Sequence, residues 1–401
     1  MKKILFVINT LGQAGAETAL LELLRQIDPK QYEVSLFVLM GQGEMISRVP
    51  DTVKICNRTF RDCSVLSAEG RKGLVRTILK AMLRRGTVLR LFPYLVKNFL
   101  AMRKRGKILP DKLLWRVLSD GADRLQEEYD LAVAYLEGGS TYYVADWVRA
   151  KRKAAFVHVD YAQAGYTKEL DLDCYRKYTK VFAVSDEVKT AFLKVYGEYA
   201  GKTEVFHNIL NPESIRSKAQ TGQGFAEPFE GIRIVSVGRL TAQKAFEVSI
   251  DAMKLVKDAG RKVRWYVFGE GDQRKMLEER IAKLGLKEDF LLPGAVSNPY
   301  PYMKQADIYV HASRFEGKSI AIQEAQILGK PILVSDCSGN REQVIQDVDG
   351  LLCEFCAEGI CEGILQLLDD ADRRERLGRA AAEKNKAENT EIVKLLSLTE
   401  G

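Results

Sequence analysis

Short apolar runs separated by longer stretches of helical period organise this chain. Ile4 to Ile8, Val34 to Met40, Leu131 to Tyr135, Ala154 to Val159 and Val181 to Val184 are almost continuously apolar, as strands buried on both faces of a parallel sheet are. A second series follows at Ile232 to Val237, Val263 to Phe268, Phe290 to Leu292, Ile308 to His311 and Ile332 to Ser335. Strands alternating with helical segments predict an α/β chain with crossover helices. Between the series, Asn211 to Gly231 carries Pro212, Gly222, Gly224, Pro228 and Gly231 among polar residues, a linker composition. The expectation is two doubly wound, Rossmann-like domains, residues 1–211 and 212–385, facing each other across a cleft. A chain of 401 residues is larger than one core usually serves.

The opening MKKILFVINTLG resembles a signal peptide, but its apolar run ends at Asn9. That is too short for a signal core, so it reads as the first buried strand. No window reaches 18 apolar residues without charge, so no spanning helix is expected. Seven scattered cysteines point to a reducing compartment.

Charge is concentrated in one place. Residues 71–116 hold 14 Lys and Arg against the single acid Asp111, a net +13 in a chain whose total is +7. Leu74, Val75, Ile78, Leu79, Met82 and Leu83 recur there at helical spacing, and a second apolar set runs from Val88 to Leu100. This is the pattern of basic amphipathic helices, which Pro93 and Pro110 are expected to break into pieces. An anionic membrane surface is the expected partner. The alternative is a helical insertion that packs its apolar stripe and solvates its charges. Nucleic acid is not expected, because no recognised nucleic-acid motif accompanies the basic stretch.

The candidate chemistry lies in the second half. Gly238, Arg239 and Lys244 follow the run Ile232 to Val237, and two cations just past a buried strand suit a diphosphate. Glu316 and Glu324 flank a helix start. Two helical turns apart, they lie on one side and can accept hydrogen bonds from sugar hydroxyls. Between them Gly317, Lys318 and Ser319 offer backbone donors at a helix N-terminus. Together these residues describe a nucleotide-sugar site. His158 ends a first-domain strand on the cleft side, with a backbone-satisfied core histidine as its alternative.

The segments VGRLTAQKAFEVSIDAM at 237–253 and SRFEGKSIAIQEAQILGKPILVSD at 313–336 resemble the family 4 glycosyltransferases. These are retaining enzymes of the GT-B fold, resembling those of bacterial capsule and exopolysaccharide synthesis. The resemblance covers most of the chain and is weakest from about 57 to 125. It implies hexosyl transfer from a nucleotide diphosphate sugar, UDP- before GDP-, to a saccharide acceptor, and the basic segment's expected membrane docking makes a lipid-linked acceptor the expectation. It implies roles for His158, Glu316, Arg239 and Lys244 in catalysis. Gly15, Gly238, Gly269, Gly317, Lys318, Ser319 and Glu324 would bind substrate. No metal or other cofactor is expected. The C-terminal segment 386–401 is expected to form a helix that crosses back to the first domain. The protein would work in the cytoplasm, peripheral on the inner face of the plasma membrane. Ala245 stands where the family has Gly, and as a good helix former it is expected to extend the helix start. A GT-B sugar-nucleotide epimerase and a non-catalytic nucleotide-sugar-binding protein are the competing readings.

Other motifs are weaker. Gly12 to Glu17 is similar to the family's Gly-Gly-Ala-Glu loop and has amides that can face an anion or a sugar. Gly269-Glu270-Gly271 is either a turn or a lining of the donor phosphates. Asp171-Leu172-Asp173 reads as a solvated turn or helix start, Cys353 and Cys356 as structural cysteines, His207 as structural, and His311 as a core residue behind the acidic motif.

Overall fold

The computed structural model describes residues 1–64, 67–106, 108–161, 163–384 and 390–400. Lys107 in the basic segment and the expected boundary at 385–386 lie outside the described residues. The chain divides into two compact units, Met1–Ile209 with Asn389–Gly401, and Leu210–Glu388.

The first unit is built on seven parallel strands: β1 (Lys2–Ile8), β2 (Tyr32–Val38), β3 (Val53–Ile55), β4 (Glu128–Ala134), β5 (Arg149–Val157), β6 (Lys180–Ala183) and β7 (Thr203–Val205). Their order is β3-β2-β1-β4-β5-β6-β7, with Ile4 opposite Val34 on one side and Leu131 on the other. Successive side chains of β1 enter different cores. Ile4, Phe6 and Ile8 fill one, and Leu5 and Val7 the other, as a two-sided strand requires. The short strands β3 and β7 were not legible as apolar runs, because edge strands need only one buried flank. The helix Glu391–Leu396 belongs to this unit. It buries Leu395 completely beside Ile4 and Phe6, and Glu391 accepts the His207 amide at 3.2 Å.

The basic segment is helical: α2 (Ala68–Leu83), α3 (Thr87–Lys104) and α4 (Pro110–Gly121). Pro110 occupies the first turn of α4, where its missing N–H costs nothing. Contrary to expectation, Pro93 does not break α3. Pro93 and Leu89, whose carbonyl it leaves without an intrahelical partner, are both exposed, so that carbonyl can turn to water.

The second unit holds six parallel strands: β8 (Ile232–Val237), β9 (Val263–Phe268), β10 (Phe290–Gly294), β11 (Ile308–His311), β12 (Ile332–Ser335) and β13 (Leu351–Cys353). They run in the order β10-β9-β8-β11-β12-β13. Strand order reverses between β8 and β11, so the loops leaving these two strands border the crevice where open α/β sheets bind ligands. The expected linker is corrected. Residues Pro212–Thr221 form a helix, capped by the Asn211 side chain on the Ser214 amide, and it buries Ile215 and Ala219 against Tyr300 and Met303. Among the described residues no helix is long and apolar enough to cross a membrane.

Candidate functional site

The switch point of the second sheet gathers the predicted residues. Arg239 and Lys244 lie on the loop between β8 and the helix Phe246–Asp258, and Glu316 on the loop between β11 and the helix Ile320–Ile327. The Lys244 stem lies over Gly238, where a Cβ would make only ordinary contact with the lysine Cε at 3.5 Å. The Lys244 ammonium donates to Glu316 Oε1 at 2.6 Å and reaches His311 Nε2 at 3.0 Å. His311 Nε2 is also 3.1 Å from Glu316 Oε1 and 3.3 Å from Ser319 Oγ. Arg239 is exposed and enters no salt bridge among the described residues.

Burial and charge compete at Glu316. Burial works to raise its pKa, but the adjacent Lys244 ammonium outweighs it and holds the carboxyl well below the usual range. Burial, aided by Lys244, lowers the pKa of His311, so the imidazole is neutral and can accept from the ammonium. Glu316 is therefore an anion that accepts hydrogen bonds and holds no proton to give.

Glu324 lies just over one turn into the helix and accepts from Tyr300 Oη at 2.8 Å. Gly317 is buried, its carbonyl pressed so close to Gly339 that a Cβ there would meet it at 1.7 Å. Lys318 is half-buried. The expected row of amide donors is corrected at Ser319, whose N–H is taken by Gln343 Oε1 at 2.7 Å while Gln343 Nε2 donates back to the Ser319 carbonyl at 2.8 Å. Gly269 has a backbone reason to be glycine, because a Cβ would fall 1.9 Å from the Gly238 carbonyl. It braces the Arg239 loop from the neighbouring strand. Glu270 and Arg274 form a two-pronged ion pair at 2.6 and 2.7 Å.

Ala245 corrects another expectation. It does not extend the helix but caps it in the left-handed region, φ 49° and ψ 40°, where a Cβ is strained.

The first unit carries His158 at the end of β5 and Gly15 at the start of α1 (Gly15–Gln26). The His158 ring stacks near Tyr135 and Phe156, its backbone N–H donates to Glu137 Oε2 at 3.0 Å, and its Nε2 has no hydrogen-bond partner among the described residues. Burial lowers its pKa to about 4. The Gly12–Glu17 loop is less open to anions than expected. Glu44 Oε1 already accepts the Gln13 amide at 3.1 Å, and the Ala14 amide bonds to the Gly12 carbonyl.

Asp171 departs furthest from its reading as a solvated residue. It is wholly buried and accepts from Tyr142 and Tyr161 at 2.7 Å and from Tyr196 at 2.9 Å. Burial raises its pKa to about 6 against the pull of those hydroxyls. No sequence signal marks Tyr300, Gln343, Glu137 or these tyrosines. Each meets its partner through the fold and lacks a local motif.

Residues 222–384 match the family described as Glycosyl transferases group 1. An N-acetylgalactosamine-N,N'-diacetylbacillosaminyl-diphospho-undecaprenol 4-alpha-N-acetylgalactosaminyltransferase of Campylobacter jejuni is 32% identical over 188 residues, 46% of this chain and 50% of that protein. The lipopolysaccharide core biosynthesis glycosyltransferase of Rhizobium meliloti is 29% identical over 39% of this chain and 45% of its own. The matched stretches thus span half or less of these relatives. The crystal structure of Anabaena HepE in complex with UDP-glucose superposes at a TM-score of 0.69 with 17% identity, covering 100% of this chain and 99% of that one. This likeness shows the fold, GT-B.

Proposed function

We propose that this GT-B chain, whose second unit is a glycosyl transferases group 1 domain, moves a hexosyl group from a nucleotide diphosphate sugar to a saccharide acceptor. The observation that carries this reading is the pairing of Lys244 with a buried, ionised Glu316 beside the exposed Arg239 at the strand-order reversal. Departure of a nucleoside diphosphate develops negative charge. Arg239 and Lys244 would meet it with fixed cations, so no metal is required. Glu316 would hold donor-sugar hydroxyls, Glu324 the ribose hydroxyls, and His158, neutral at physiological pH, a sugar hydroxyl. Transfer proceeds with retention at the anomeric carbon. A UDP-sugar is the favoured donor, in line with the UDP-glucose bound by Anabaena HepE. The name of the Campylobacter relative supports a lipid-linked acceptor. With such an acceptor the protein would work peripherally on the inner face of the plasma membrane, in cell-surface polysaccharide synthesis.

Thermal shift against UDP-, GDP- and ADP-sugars, then transfer assays in EDTA, test the reading. Stabilisation by a UDP-sugar and undiminished transfer in EDTA are expected. Arg239→Ala is the cleaner cation variant, because Lys244→Ala also strands a buried carboxylate, and it should lower kcat/KM about 100-fold. Glu324→Gln should mainly raise the donor KM, and Glu316→Gln should lower kcat. A strict metal requirement would overturn the site assignment. Release of UDP with epimerised sugar and no acceptor would favour an epimerase.

A further inference from the structure

Sixteen large hydrophobic side chains are exposed among the described residues, and nine of them fall between Val75 and Ile108. On α3 they are Leu89, Phe92, Val96, Phe99 and Leu100, exposed by 83, 60, 41, 43 and 56%. Spacings of three, four, three and one residues put them on a single face. The opposite face is anchored. Thr87, Asn98 and Met102 are buried, Leu91 and Leu95 pack on the core of the first unit, and Tyr94 Oη donates to the Leu170 carbonyl at 2.9 Å. Soluble helices turn their polar face outward, and α3 does the reverse. Val75, Leu79 and Leu83 make a second outward stripe along α2 at four-residue spacing.

Charge identifies what covers this face. No acidic residue lies between Gly70 and Pro110. Arg84, Arg90 and Arg116 are occupied by Asp123, Asp120 and Asp146, but Arg71, Lys72, Arg76, Arg103 and Lys104 enter no salt bridge among the described residues. A second copy of the chain would set one +13 segment against another. A surface that is apolar beneath and anionic above matches both features.

We infer that the outer face of α3 inserts into the headgroup and acyl boundary of an anionic membrane, with the cations of α2 and the C-terminal end of α3 on the lipid phosphates. This rests on the peripheral-membrane reading above and adds that insertion, beyond surface charge, holds the protein there. Arg103 lies within the stripe, and its long stem can carry its charge up to the phosphates.

The test is co-sedimentation with phosphatidylcholine vesicles with and without phosphatidylglycerol. Phe92→Ser with Leu100→Ser should reduce partitioning onto anionic vesicles at least tenfold, with circular dichroism and hydrolysis of the UDP-sugar donor unchanged. Phe92→Trp should show blue-shifted emission over the wild-type background when vesicles are added. Replacing Arg71, Lys72, Arg103 and Lys104 with Gln should also weaken binding. If the serine variant binds at full strength and only the glutamine variant fails, insertion is overturned and electrostatic docking stands. Wild-type protein that ignores anionic vesicles at low salt overturns both. A dimer in solution that the serine variant dissociates would assign the face to a second copy and overturn the inference. None of these outcomes touches the donor assays, so failure here is separable from failure of the transferase reading.

Discussion

Ala245 is a strained residue next to a functional one. It is buried, sits at φ 49° and immediately follows Lys244, so its conformation sets the direction from which the ammonium enters the site. A left-handed L-residue costs roughly 1–2 kcal/mol, partly offset by the smaller chain entropy that Ala loses relative to Gly. Ala245→Gly should therefore raise stability by roughly 0.5–1 kcal/mol in urea denaturation, with donor affinity retained. A destabilised variant would show that the buried methyl matters more than the strain. The same scale explains why Lys244, His311 and Glu316 belong together. The ammonium of Lys244 donates to both neighbours and keeps the Glu316 carboxylate ionised where burial alone would neutralise it.

Among elements, the short helix Lys168–Asp171 has the widest reach. Arg116 of α4 donates to the Asp171 carbonyl at 2.6 Å, Tyr94 of α3 binds the Leu170 carbonyl, and three tyrosines converge on the Asp171 carboxyl. Helices α3 and α4 are thus both fastened to this polar knot. Its titration opposes that of His158. The Asp171 pKa is raised to about 6, so its contribution is full below its unfolded value near 4 and is lost as pH rises through 6. The His158 pKa is lowered to about 4, so its contribution is full above about 6.5 and is lost as pH falls through 4. Each is worth about 3 kcal/mol at one unit per 1.36 kcal/mol. Asp171→Asn should leave the histidine unopposed and steepen the loss of stability between pH 6 and 4, as read by thermal melts. An unchanged slope would remove Asp171 from the account.

At the scale of the whole molecule, the chain returns to its first unit at the end. Leu395 is fully buried in that unit's core, and Lys394 donates to the Val205 carbonyl at 2.9 Å. Leu395→Ala should cost about 2–5 kcal/mol. Hydrogen exchange should speed up in β1 and β4 while β8 and β11 keep their protection. Equal loss in both units would mean that they unfold as one.

Apolar runs and their spacing determined the two parallel sheets, because a strand buried on both faces must be apolar at every position whatever surrounds it. They also put Arg239, Lys244 and Glu316 on loops past strand ends and Glu324 on the helix that follows, since loop position follows from strand position. Pairing was beyond that reach. Lys244 and Glu316 are 72 residues apart, and Asp171 meets tyrosines 29, 10 and 25 residues away, so a locally polar stretch could not disclose a buried carboxylate. Ala245 looked like a helix former because propensity describes the residue, whereas the folded loop holds it as a left-handed cap. Helical period, likewise, tells which side chains of α3 share a face. Only packing against the first unit decides which face is covered and which apolar face is left outward.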